Sequence, residues 1–244
     1  MSPPGDALGA GVVYRFTDRN GGGSQPPYSA LNLGTGLGDD PAAVAANRQL
    51  AAAWCETGRP GVAWMRQIHS SEVRYAGADS PDGEPPECDA LYTDVPGLVL
   101  GVLVADCVPV LLADPQARLA GAAHAGRQGM VAGVVPALVA AMAETGARPE
   151  RMRAIIGPAI CGGCYEVPGP MRAEVSARVP AACCTTRSGT PGLDIAAGVR
   201  AQLGAAGVAA VEHDARCTRE SAELYSYRRD GVTGRFAGLV WLAA

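Results

Sequence analysis

The chain has 244 residues, 48% of them hydrophobic, which is enough for a substantial buried core in one large domain. With 20 basic residues against 24 acidic ones the net charge is −4, which excludes the concentrated basic surface that a nucleic-acid backbone demands. Every basic residue is arginine; without lysine, Schiff-base catalysis, chain-anchored pyridoxal phosphate and a Walker-type phosphate loop are excluded.

In chain order, residues 11–16 read as a first strand and 20–28, rich in glycine and proline, as a loop. Asp40 and Pro41 open a helix. The aspartate caps it, the proline fits the first turn, and Ala43, Val44, Leu50, Ala51 and Trp54 form an apolar stripe that ends at Gly58. Strand-like segments follow at 62–66, 72–76, 90–93, 98–105, 108–113 and 119–123, and a helix with a broad apolar face at 130–144. Further strands are expected at 153–156, 208–211 and 237–242, with helices at 170–178 and 195–203 between them. Clustered strands flanked by helices predict an α+β fold, with mixed sheets and helices layered in a single domain over 1–244. No apolar run reaches the roughly 20 residues of a bilayer span. The N-terminal Met-Ser-Pro-Pro-Gly-Asp has no secretory signature, so reduced thiols, a cytoplasmic location and no membrane contact are expected.

Candidate chemistry concentrates in a few loops. His69 lies where one strand-like segment turns toward the next, and either faces a cleft or bonds to backbone. Asp106 and Cys107 interrupt an apolar run before Pro109, which is read as unable to continue a central ladder. His124 ends a strand and enters the glycine-containing turn Gly126–Gly129, whose backbone N–H groups, with Arg127 nearby, suit an anion. Two histidines and a cysteine on loops around a sheet make a three-ligand zinc set with one position open, although spacing alone does not decide it. Cys161, Cys164, Cys183, Cys184 and Cys217 contain one Cys-x-x-Cys and no second matching pair, which argues against a structural zinc there. His213 reads as an exposed turn residue. The tail from Tyr225 to Arg235 either clasps phosphate and sugar or forms a charged hairpin around Asp230-Gly231.

Taken in order, Asn32-Leu33-Gly34, Asn47-Arg48, Gln67-Ile68-His69, Ala105-Asp106-Cys107-Val108-Pro109, His124-Ala125-Gly126, Gly157-Pro158-Ala159-Ile160, Cys164-Tyr165-Glu166-Val167 and Ser226-Tyr227-Arg228-Arg229 resemble the signature segments of the YfiH-like family. The resemblance runs nearly end to end. It implies a catalytic zinc on His69, Cys107 and His124, with Asp106 beside them in the catalytic set. It also implies phosphorolysis of adenosine, inosine and guanosine, cleavage of methylthioadenosine, and adenosine deamination. Arg48, Asn32, Gln67, Gly126, Arg228 and Arg229 are then expected to bind nucleoside and phosphate. The family also carries the older label of copper polyphenol oxidase or laccase, so copper is the alternative metal. Three histidines cannot furnish clustered copper sites, whose usual ligand is imidazole. One departure from the family pattern stands after His-Ala-Gly: similar proteins commonly carry tryptophan and then arginine or lysine, whereas this chain has Arg127 and Gln128. Two rivals remain: a metal-free hydrolase with Cys107 as nucleophile and His124 as base, and a non-catalytic purine- or metal-binding protein.

Overall fold

The computed structural model describes residues 7–59, 61–80, 83–208 and 210–243. The N-terminal hexapeptide, and Ala209 within the strand expected at 208–211, lie outside the described residues. The elements are β1 (Val12–Phe16), α1 (Pro41–Ala53), β2 (Ala63–Trp64), β3 (Val73–Tyr75), β4 (Ala90–Thr93), β5 (Leu100–Val104), β6 (Val108–Asp114) and β7 (Leu119–Ala125). There follow α2 (Arg127–Ala132), α3 (Val134–Glu144), β8 (Arg153–Ile156), α4 (Gly169–Arg178), β9 (Cys183–Thr185) and β10 (Pro191–Leu193). The chain finishes with α5 (Ile195–Ala205), β11 (Ala210–His213), α6 (Tyr227–Asp230) and β12 (Phe236–Leu242).

Two sheets carry the architecture, one of six strands in the order β11-β8-β6-β7-β4-β3 and one of four in the order β1-β12-β5-β2. Both mix parallel and antiparallel pairs, as the α+β expectation requires. The side chains of β6 show how the layers are built. Val108, Val110 and Leu112 join the core shared with α3 and α5, while Leu111 and Ala113 join the core shared with the four-stranded sheet. β12 repeats the logic, with Phe236, Val240 and Leu242 facing the larger sheet and Leu239 and Trp241 facing the core that includes Ala51 of α1. Strands apolar on both faces must be covered on both faces, so the order of layers is α1, small sheet, large sheet, helices. Among the described residues no helix is long and apolar enough to cross a membrane.

Several boundaries differ from the sequence reading. α1 stops at Ala53 rather than Gly58, because Glu56 (φ 52°) and Gly58 (φ 71°) take left-handed backbone that a helix cannot continue. The helix expected at 130–144 begins at Arg127 and is split at Gly133, whose φ of 87° ends α2 and opens α3. The strand expected at 62–66 shrinks to β2, and the one at 208–211 shifts to β11, so His213 is an exposed strand-end residue paired with Ile156 rather than a turn residue. Pro109 does continue a central strand, opposite His124. β8 ends at Ile156, so the missing N–H falls at the end of that ladder, and the Pro109 carbonyl still accepts from Gly157 N–H at 2.8 Å. Residues 227–230 form α6, capped by Ser226, in place of a hairpin.

The far end of β6 is tied by a buried acid. Asp114 accepts from the backbone N–H of Gln116, Ala117 and Arg148 and from Nη2 of Arg151 at 2.8 Å. Burial alone would raise its pKa; these donors outweigh burial and hold the carboxyl below the ordinary value. The native pKa lies below the unfolded one, so this stabilisation is present above about pH 4 and is lost as pH falls further. Asp114→Asn should cost about 2–3 kcal/mol at neutral pH and flatten the acid limb of stability, measured by urea unfolding between pH 3 and pH 7.

Candidate metal centre and its cavity

His69, Cys107 and His124 come from three different segments and bring one donor atom each to within 4.8 Å of one another. His124 is on β7, where the ladder with β6 fixes its depth, and it is 3% exposed. Cys107 is in the bend between β5 and β6, 4.0 Å from His69 Nε2. His69 is exposed, and its ring meets that of His124 edge-on with centroids 4.8 Å apart. The ligand loops carry backbone strain: His69 (φ 61°) and Asp106 (φ 95°) are both left-handed without being glycine.

Asp89, which the sequence reading missed, holds this arrangement. Its fully buried carboxylate accepts from the N–H groups of Ile68 (3.2 Å), His69 (3.0 Å) and Ser70 (2.6 Å) and from the Ser70 hydroxyl (2.8 Å). It also accepts from His124 Nδ1 at 2.8 Å. Burial would raise its pKa, but the bonds from His124 and Ser70 hold it at about 2. One acid therefore fixes the loop that carries one histidine and the ring orientation of the other, leaving His124 Nε2 for the cysteine side. Burial pushes the Cys107 thiol up, and the two imidazoles facing it more than reverse that, so it favours thiolate. Gly126 completes the set by having no side chain. A Cβ there would lie 2.9 Å from His69 Cδ2 and 3.0 Å from Cys107 Sγ.

The three donors open into a cavity of about 690 Å³, within the roughly 300–1,000 Å³ of small-molecule sites. Of the residues expected to bind substrate, Arg48, Gln67, Gly126 and Arg228 line it, and Asp106 does too. Asn32 and Arg229 do not. Asn32 is fully buried, accepting from Gly34 N–H and Arg235 N–H and donating to Asp39, so it brackets the loop behind the wall. Arg229 donates to the carbonyls of Thr218, Ser221 and Leu224, so it ties a loop together. Gln67 exchanges both amide bonds with the backbone of Leu103 and pins the His69 loop to β5. Asp106 accepts from the Thr218 hydroxyl and from Arg228 N–H, each at 2.6 Å.

Arginine dominates the wall. Arg48 stacks 4.8 Å over Trp64 and donates to the Leu33 carbonyl; Arg228 stacks 4.8 Å over Tyr165 and donates to the Glu166 carbonyl. Arg127, at the point of departure from the family pattern, lines the same cavity, as does Arg235, the last residue of the tail read as a possible clasp for phosphate and sugar.

The cavity brings a wall of guanidiniums beside a Cys-His-His set that could hold a metal ion, on a layered α+β fold. The chain belongs to the family described as multi-copper polyphenol oxidoreductase laccase, whose model matches residues 13–243. It is 56% identical over 232 residues to a purine nucleoside phosphorylase of Streptomyces coelicolor, covering 95% of this chain and 96% of that one. A purine nucleoside phosphorylase of Streptomyces griseus is 54% identical, with 94% of each chain covered. Among solved structures, a Neisseria meningitidis protein of the DUF152 family superposes with a TM-score of 0.88 at 36% identity over 99% of both chains. Bacillus licheniformis YfiH superposes with a TM-score of 0.85 at 32% identity, covering 95% of this chain and 92% of that one.

Two substitutions test the centre without touching a donor. Asp89→Asn and Gly126→Ala should each weaken metal binding by about 10–100-fold, the range for partners behind metal ligands, measured by competition with a chromophoric chelator.

Proposed function

We propose that the chain is a metal-dependent purine nucleoside phosphorylase acting on adenosine, inosine, guanosine and methylthioadenosine, and that the same site deaminates adenosine. The observation that carries this is the meeting of a three-donor candidate metal set with five arginines, Arg48, Arg66, Arg127, Arg228 and Arg235, in one cavity. The naming of its relatives as purine nucleoside phosphorylases supports it. A thiolate and two imidazoles fit zinc, with copper as the alternative occupant. They do not fit clustered coppers, because His213 lies on β11 and only three histidines exist. His69, Cys107 and His124 would hold the ion, which supplies Lewis-acid polarisation of the departing base when bound.

The chain's own residues account for the rest. In phosphorolysis the C1′–N9 bond breaks with its electron pair on the base, a phosphate oxygen bonds to C1′, and the proton carried by phosphate ends on the base. The ribose gains positive charge as that bond stretches, so a phosphate dianion held beneath it lowers the barrier. Arg48, Arg127, Arg228 and Arg235, which line the cavity, are the groups to hold that dianion. Asp106 keeps Arg228 in place through its backbone N–H and is the candidate to manage the proton. Trp64 and Tyr165, stacked under Arg48 and Arg228, hold those guanidiniums in the wall.

One observation favours a second reading: Asp89, His124 and Cys107 stand in the order of an acid, base and thiol nucleophile. His69 closing on the same sulfur argues for a ligand instead.

The test is chromatographic. Zinc-loaded protein incubated with adenosine or inosine should release base and ribose 1-phosphate only when phosphate is present, and Cys107→Ala should abolish this together with zinc binding at the His69, Cys107 and His124 centre. Base release that ignores phosphate and chelator but stops on thiol alkylation would establish the hydrolase, and nucleoside binding without product a non-catalytic binder. Arg228→Ala should raise the KM for phosphate about tenfold or more, the loss of one charge-assisted contact, with zinc content unchanged.

A further inference from the structure

A second set of donors lies behind the cavity wall. Sγ of Cys161, Cys164 and Cys217 and a carboxylate oxygen of Glu220 all lie within 4.8 Å of one another. The spacing explains why no complete set was visible from cysteines alone: Cys161-x-x-Cys164 is matched by Cys217-x-x-Glu220, so the fourth donor is a carboxylate where a cysteine was sought. Cys183 and Cys184 are not part of it; they lie on β9, and the Cys184 thiol bonds to the Gly162 carbonyl.

The two donor pairs are built alike. N–H of Cys164 and of Tyr165 both donate to the Cys161 carbonyl, at 2.9 and 3.0 Å. N–H of Glu220 and of Ser221 both donate to the Cys217 carbonyl, at 3.1 and 2.9 Å. Each pair thus closes one tight turn with both donors on it. A parallel bridge between Ala159 and Cys217 sets the turns side by side, and the Cys161 N–H donates to the Cys217 sulfur at 3.4 Å. Cys164 and Cys217 are each 6% exposed, while Glu220 is at the surface and offers an entry path.

Charge agrees with the geometry. Three thiolates and a carboxylate around a divalent ion leave two negative charges. Arg187 pairs with Glu220 and has Nη1 3.3 Å from the Cys164 sulfur, and Arg219 has Nη1 3.4 Å from the Cys164 carbonyl. Two guanidiniums therefore stand where that excess would be. Tetrahedral zinc with Zn–S of about 2.3 Å places sulfurs about 3.8 Å apart, so side-chain rotation suffices to close the set.

From this we infer that Cys161, Cys164, Cys217 and Glu220 form a second, structural site for a thiophilic divalent cation of the zinc class, separate from the His69, Cys107 and His124 centre. The site has a mechanical connection to the cavity. Tyr165, next to Cys164, lies under Arg228, and Thr218, next to Cys217, donates to Asp106. A cation there would brace the two segments that position Asp106 and Arg228. The inference is independent of the reaction proposed above.

The test uses the full chain in a His69→Ala, Cys107→Ala background, which removes two donors of the first centre. After zinc loading and gel filtration this protein should retain one equivalent of zinc by mass spectrometry. Loaded with cobalt instead, it should show thiolate-to-cobalt charge-transfer absorption. Adding Cys161→Ser and Cys217→Ser should remove both signals. Glu220→Gln, a surface change, should weaken zinc binding at least tenfold against a chromophoric chelator with the far-ultraviolet dichroism unchanged. The inference is overturned if the background protein holds no zinc, or if the added serine substitutions or Glu220→Gln leave zinc binding as it was. A disulfide among the three thiols in anaerobically purified protein would overturn it as well.

Discussion

Asp89 buries a negative charge where three chain segments meet, and the rest of the centre depends on how that charge is satisfied. Three consecutive backbone N–H groups, one hydroxyl and one imidazole converge on its two oxygens. An ionised carboxylate so enclosed is tolerable only with its hydrogen bonds in place. Each donor is therefore held by the need to neutralise Asp89, and two of them belong to His69 and His124 of the candidate metal set. The left-handed backbone of His69 is sustained in this way, since relaxing it would take its N–H off a buried charge.

The layers explain why the remaining ligands need little further support. Cys107 and His124 sit at the same end of the β6–β7 ladder, which runs without interruption from Val108 opposite Ala125 to Asp114 opposite Leu119. Both strands are buried along their whole length, between the small sheet and the helices. A one-residue slip would exchange the two faces and push side chains into the wrong core, so the register is fixed by packing alone. The absent side chain of Gly126 then lets α2 begin directly against the donors.

What the sequence made legible follows from the same physics. Strands such as β4, β6 and β7 announce themselves by short apolar runs bounded by turn residues, and their predicted limits lie within two residues of the observed ones. The candidate donors that the structure brings together stood out because an acid, a thiol and two histidines interrupt or terminate those runs, and because their flanking residues resemble one family throughout. Asp89 was not, since an aspartate in a Glu-Cys-Asp-Ala stretch carries no local sign that it will be buried under a loop twenty residues earlier. Asn32 and Arg229 show the opposite case. Their motifs were visible, yet whether a polar side chain faces the cavity or the backbone behind it depends on tertiary contacts that no local pattern encodes. Gly133 shows why a single helix was expected at 130–144: the apolar face continues across a glycine that only the backbone angle reveals as a break.

The arginine wall has a different origin from the metal donors. Arg48 projects from α1, Arg228 from the four-residue α6, and Arg235 from the segment entering β12, whereas two of the three donors are tied to the most deeply buried ladder in the molecule. The buried ladder thus sets the spacing of the candidate donors and more peripheral elements set the wall, and the two meet where the Asp106 carboxylate, beside Cys107, takes the Arg228 N–H. A changed wall side chain alters what lines the cavity without touching the strand pairing beneath the donors, so the lining can vary while the donor spacing does not.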